Sequence, residues 1–176
     1  NLGNAPELWD KHFQLTRSII LPAREGSRVE LPPIGPFTGV FDGQGFFIRN
    51  LVVKQTNNAP AGFFQEIGVG GEVKDLHLVD LDVSGPQRAG ILAGINRGLI
   101  QTSSASGTVT STQGPAGGLI GEHLGRVEKV FAAADVIAPN ELGGLVGIMT
   151  APNSTDAAEI ENAYSISTVH VPSDVQ

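Results

Sequence analysis

The chain has 176 residues with a net charge of −7, 40% hydrophobic residues, 6% aromatics and 23 glycines. That acidic balance offers no basic field for nucleic acid or anionic membranes. No apolar run reaches the ~18 residues of a membrane span, and the absence of cysteine removes disulfides and thiolate metal sites.

The N-terminus, NLGNAPELWD, has neither the basic start nor the apolar run of a signal peptide. Asn4 followed by Pro6 reads as a capped helix start, predicting a short helix over about residues 5–11 that closes one end of the fold. Phe13 to Thr16 then alternates like a strand. Ile34-Gly35-Pro36 opens the first full coil, so residues 1–33 are expected to form a cap with a lead-in strand, and 34–176 the main body.

That body repeats. AGILAGINRGLIQTSSASGTV from Ala89 aligns without a gap on AGGLIGEHLGRVEKVFAAADV from Ala116, and GGLVGIM from Gly143 starts a third copy. Two weaker copies precede them, around Val73 and Ile48. The series Ile48, Val73, Ile100, Val127, Ile160 is expected to form one inward column, and Leu51, Leu76, Ser103, Val130, Ala163 a second. Helix formers are sparse, and glycine interrupts every few residues. Such short apolar–polar segments cannot bury their faces alone, but stacked coils can. The expected fold is all-β: a parallel β-solenoid of about five coils of 25–28 residues, each with three short strands. No second cap is apparent in VHVPSDVQ, which leaves the C-terminal end open to another chain, a further segment or self-association.

GGLIGEHLGRVEKVFAAADV and GGLVGIM resemble GLUG motifs, the Gly-Leu-(any)-Gly repeats of bacterial surface proteins, and FTGVFDGQGFFIRNLVV is similar to the segment that often precedes them. The resemblance spans about residues 8–170 and departs from the motif at Glu122-His123, where an Asn-like residue is usual, and at an insertion over about 150–158. It implies an exported or cell-surface module of a longer chain, of the kind found in adhesins, fimbrial-type proteins and non-catalytic parts of immunoglobulin A proteases. It carries no catalytic residue.

Asp42-Gly43-Gln44-Gly45 reads as a tight turn, with a calcium or sugar site on Asp42 as the alternative. Asp75, Asp80 and Asp82, with Lys74 and Arg88, read as a solvated strand face, or else as an acid/base or calcium site of a polysaccharide-degrading β-helix. His12, His77, His123 and His170 lack metal-ligand spacing, and His123 is expected at an exposed corner. There is no nucleophile elbow and no P-loop. The Thr-rich run at 108–112 is not repeated one coil on, where Asp135-Val136-Ile137-Ala138 stands, so an ice-binding array is rejected. Ile48 inward places Phe47 outward beside Arg49, unless Trp9 and the N-terminal helix cover it. Tyr164 is expected to share a row with Phe131. The insertion carries Asn153, Ser154, Thr155 and Asp156, and solenoid insertions often map to binding surfaces.

These features point to an adhesin module without catalysis, metal or cofactor, outside the cell or on a bacterial surface. It would bind a glycan or protein through Phe47, Arg49, Trp9, Asn153, Ser154 and Asp156. The alternatives are a structural spacer that self-assembles into a homo-oligomer through its C-terminal end, and the polysaccharide-degrading enzyme.

Overall fold

The computed structural model describes residues 2–23, 28–151 and 157–172. It is a parallel β-solenoid of five turns, preceded by a partial lead-in coil. Each full repeat uses four short strands rather than three. In the coil from residue 87 these are Gln87–Gly90, Ala93–Asn96, Leu99–Gln101 and Ser104–Ser111. The Gly-rich corner accounts for the extra strand: Ala89-Gly90 and Ala93 to Asn96 each pair with the coils above and below, but on two different faces. The stacked strands make four faces, here called D, C, A and B in the order in which the chain visits them. Every pairing is parallel, so each side chain lies over its equivalent one layer away, at about 4.8 Å.

The column Val73, Ile100, Val127, Ile160 is present on face A. Its earlier member is Phe41, not Ile48. Ile48 pairs with Leu78 on face B, and Leu51, whose neighbours Val52 and Val53 pair with Asp82 and Val83, belongs to face B as well. The first full coil is longer than a fixed period assumes, because the corners at 43–46, 55–59 and 68–71 are larger than those of the next coil at 75–76, 86 and 97–98. Extra corner residues move a register without disturbing the strands they join. From Leu76 the second column holds. Ser103 fits there because its hydroxyl donates to the Gln101 carbonyl (2.8 Å) and accepts from the Leu76 N–H (3.2 Å), satisfying a buried polar group.

The N-terminal helix is absent. Leu2–Asn4 and Pro6–Leu8 are lone 3-10 turns, and Asn4 makes no side-chain cap. A helix here would be too short to sustain itself. The Trp9 carbonyl instead accepts from Thr38 and Gly39, and the Lys11 carbonyl from Val40, which draws the chain straight into the strand His12–Gln14. The covering role persists without the helix: Leu2, Trp9, Leu15, Leu21 and Leu31 pack against the core. Beneath them Phe13, Phe37, Phe41, Phe63 and Phe64 form a ring cluster with centroids 5.1–6.4 Å apart.

Candidate functional site

Face B presents an exposed surface of side chains stacked in rows. Its strands alternate, so the residue before each inward side chain points out. Ile48, Leu78, Ala105 and Ala132 are buried, and the outward residues beside them are Phe47, His77, Ser104 and Phe131, followed by Tyr164 on the last coil. These five stand in one row, each paired with the next. The Phe131 and Tyr164 rings lie 4.7 Å apart with 34° between their planes. His77 Nδ1 is 2.8 Å from Ser104 Oγ.

Ser104 is the small member of the row, and beside it lies a groove of about 380 Å³ between His77 and the Phe131–Tyr164 pair. Thr102, Lys129 and Asn162 rim it. All three take left-handed backbone conformations, with φ of 49°, 54° and 51°. The Lys129 ammonium is 2.7 Å from the Glu128 carboxylate. That contact pushes Glu128 below and Lys129 above their ordinary values, so the pair presents little net charge to the groove. A second outward row, Asp82, Thr108, Asp135, Thr168, runs alongside on the same face. Aromatic rings beside hydroxyls and carboxylates can stack on the flat side of a ligand while bonding its polar edge.

The first expected residues sit at the N-terminal end of this face. Phe47 is half-buried, and the Arg49 guanidinium lies 5.2 Å from the centre of its ring. Arg49 Nε is 3.6 Å from Asp80. Trp9 does not cover them: it lies at the entry to face A, where its indole N–H donates to the Leu2 carbonyl at 2.9 Å. Asn153, Ser154, Thr155 and Asp156 lie outside the described residues. Phe131, His77 and Ser104 were legible only through the repeat alignment, which places them in the Tyr164 row.

The acidic residues do not converge. Asp82 pairs with Arg28 at 3.3 Å, Asp80 with Arg49, and Asp75 occupies a corner with φ of 50°. Lys74 lies 3.8 Å from both Asp42 and Glu72, and Arg88 pairs with Glu122. Asp80 does not end its strand. His77–Gly85 continues through a bulge between Leu78 and Leu81, where Asp80 takes φ of 55°, which brings Leu81 and Val83 inward. At 42–45, Asp42 Oδ1 accepts from the Gln44 N–H at 2.9 Å, and Gln44 and Gly45 have φ of 53° and 73°, which describes a tight turn. No group of three or more potential metal ligands occurs among the described residues.

His123 is not at an exposed corner. It is 0% exposed and lies on face C, where it pairs with Asn96 in the coil before and Met149 in the coil after. The strand Ile120–His123 ends on an inward position, and the carbonyl of Glu159, which pairs with Arg126, lies 3.0 Å from its Nε2. Burial pushes the His123 pKa below its usual value, partly countered by that carbonyl. No described helix is long and apolar enough to cross a membrane.

No protein-family model matches the chain. Halomucin from Haloquadratum walsbyi is 34% identical over 122 residues, which is 64% of this chain and 1% of halomucin. The chain therefore spans a very small part of that relative. A crystal structure from Bacteroides ovatus, titled as a candidate immunoglobulin A1 protease, superposes with a TM-score of 0.53 at 16% identity, covering 97% of this chain and 74% of the other. At that identity the likeness shows the β-solenoid fold alone.

Proposed function

We propose that this chain is a binding module of an exported or cell-surface adhesin that recognises a glycan on the outer side of face B, without catalysis. The observation that carries this reading is the outward row Phe47, His77, Ser104, Phe131, Tyr164, with the groove at Ser104. The groove combines ring faces with uncharged polar rim groups, and its one rim cation is balanced by Glu128. That chemistry suits a neutral or weakly polar sugar ring better than a phosphate or a sulfate. The GLUG-like repeats and the partial likeness to halomucin support an extracellular setting. The dispersal of Asp75, Asp80 and Asp82 into separate contacts supports a non-catalytic role over glycan cleavage.

The test is a glycan array on the wild-type chain beside Phe131→Ala, Tyr164→Ala and the double variant Phe47→Ala, Arg49→Ala. Each lost ring contact is expected to cost about 1 kcal/mol, roughly fivefold in affinity. A discrete hit weakened by Phe131→Ala supports the groove, and one weakened only by the double variant moves the site toward Phe47. A blank array, or a hit unchanged in every variant, overturns the reading.

A second reading, assembly through the last coil, is favoured by one feature. Met149, Ile160, Tyr164, Ile166, Val169 and Val171 are six of the ten exposed large hydrophobics among the described residues. Light scattering across a concentration series tests it. Self-association abolished by Ile166→Lys supports assembly, and a monomer at every concentration removes it.

A further inference from the structure

The last coil is held to the body partly through one buried imidazole. Asn96 fixes that ring's state. Its Oδ1 accepts from the Gly98 N–H at 3.1 Å, and its Nδ2 donates to the Arg126 carbonyl at 3.4 Å. Turning the amide over would break both bonds, so the Nδ2 donor faces His123 Nδ1 at 3.2 Å. Nδ1 must therefore accept, and Nε2 carries the proton that it donates to the Glu159 carbonyl. Only the neutral ring satisfies both neighbours. A second proton would set two N–H donors against each other in a buried site.

The surrounding charges do not relieve that conflict. Glu122, on the same strand, alternates to the other side, where it meets Arg88 and the Thr150 hydroxyl. The Glu159 and Glu161 carboxylates are engaged by Arg126, at 3.5 Å and 3.2 Å. From the strand Ala93–Asn96 the facing group is the Asn96 amide, and from Val146–Met149 it is Met149, neither of them charged. Among the described residues no carboxylate accepts from the His123 ring.

We infer that His123 is an acid-sensitive latch: protonation releases the strand Glu159–Glu161 and, with it, the Tyr164 wall of the face B groove. The chain reaches Tyr164 three residues after Glu161, so both belong to one outermost layer. The consequence for ligand binding rests on the glycan reading above, whereas the latch itself does not. Its sign follows from proton counting. The latched ring titrates below the usual 6.5 and the released ring near it. Above about pH 6.5 both states are neutral and the latch holds. Below it the released state binds more protons, and release rises by up to about tenfold per pH unit until the latched ring itself titrates.

Amide hydrogen exchange from pH 7.5 to 5.5, corrected for intrinsic rates, tests this on the whole chain without any glycan. Protection at Glu159 and Glu161, whose N–H groups face the strand beneath, relative to Ile100 one coil further in, is expected to fall by up to about tenfold per unit below pH 6.5. Tyr164 is the one tyrosine in the sequence, so its near-ultraviolet signal is expected to change in the same window. His123→Asn should pair with Asn96 without titrating and abolish the dependence, which separates His123 from His170 on the same coil. Asn96→Asp, which turns a carboxylate toward Nδ1, should reverse the trend, with the coil held more tightly as pH falls. Protection that stays constant in the wild type, or that falls equally in His123→Asn, overturns the latch. If protection falls as expected while the glycan array is blank, the latch stands and the glycan reading fails.

Discussion

The first full coils and the last coil are built from the same repeat but differ in what covers them. At the N-terminal end Phe13, Phe37, Phe41, Phe63 and Phe64 fill the interior, and Leu2, Trp9, Leu21 and Leu31 close over them. At the C-terminal end the interior holds no phenyl cluster among the described residues, only aliphatic residues such as Leu145, Val146 and Ala163 packed on the coil beneath, and the outermost strands Glu159–Glu161 and Thr168–His170 are exposed along their length. Stacking alone does not finish a solenoid, because each layer is buried only as well as the layer placed on it. The difference locates stability in one half of the molecule and responsiveness in the other.

The largest test of that contrast replaces a ring at each end. Phe64 is 0% exposed inside the phenyl cluster, and Phe64→Ala should lower unfolding stability by about 3–5 kcal/mol in denaturant titration. Tyr164 is 64% exposed, and Tyr164→Ala should stay within about 0.5 kcal/mol. Comparable losses at both ends would break the comparison.

A smaller effect is expected from the backbone. Gly107 has φ of 138°, and an added Cβ would lie 1.9 Å from the Leu81 carbonyl oxygen. Gly107→Ala should cost about 1–3 kcal/mol or more in thermal or chemical unfolding. Gly45 has φ of 73° but open space around it, so Gly45→Ala should cost about 1 kcal/mol through conformation alone. A Gly107 variant as stable as the Gly45 variant would show that the inter-coil spacing yields easily.

The smallest effects belong to the ion pairs of face B. Asp80 and Asp82 are largely solvated, so Asp80→Ala and Asp82→Ala should each change stability by less than about 1 kcal/mol, and the change should vanish in high salt. A large, salt-resistant loss at either position would mean that face B contributes to the fold rather than only displaying it.

The sequence resolved some of these elements and not others for identifiable reasons. From Val73 onward the coils keep a spacing of 27 residues up to Val127, so aligning the glycines also aligned the inward columns. The alignment of Ile48 with Val73 failed because the large early corners lengthen the coil without changing its strands. The corner residues Asp75, Thr102, Lys129 and Asn162 all take left-handed conformations, yet threonine and lysine give no local hint of one. Their common position in the repeat is the signal that could have revealed them. His123 read as an exposed corner because its burial depends on Asn96 from one coil and Glu159 from another.

By itself the sequence determined the repeat: parallel coils, an apolar interior and glycine-rich corners, because stacking identical units makes a local pattern periodic along the whole molecule. The tertiary structure alone decided which columns share a face. It assembled Phe47, His77, Ser104, Phe131 and Tyr164 into one row, dispersed the aspartates among separate partners, and enclosed His123 between layers. Those outcomes depend on corner lengths and on contacts between residues a coil or more apart, and local chain preference does not encode either.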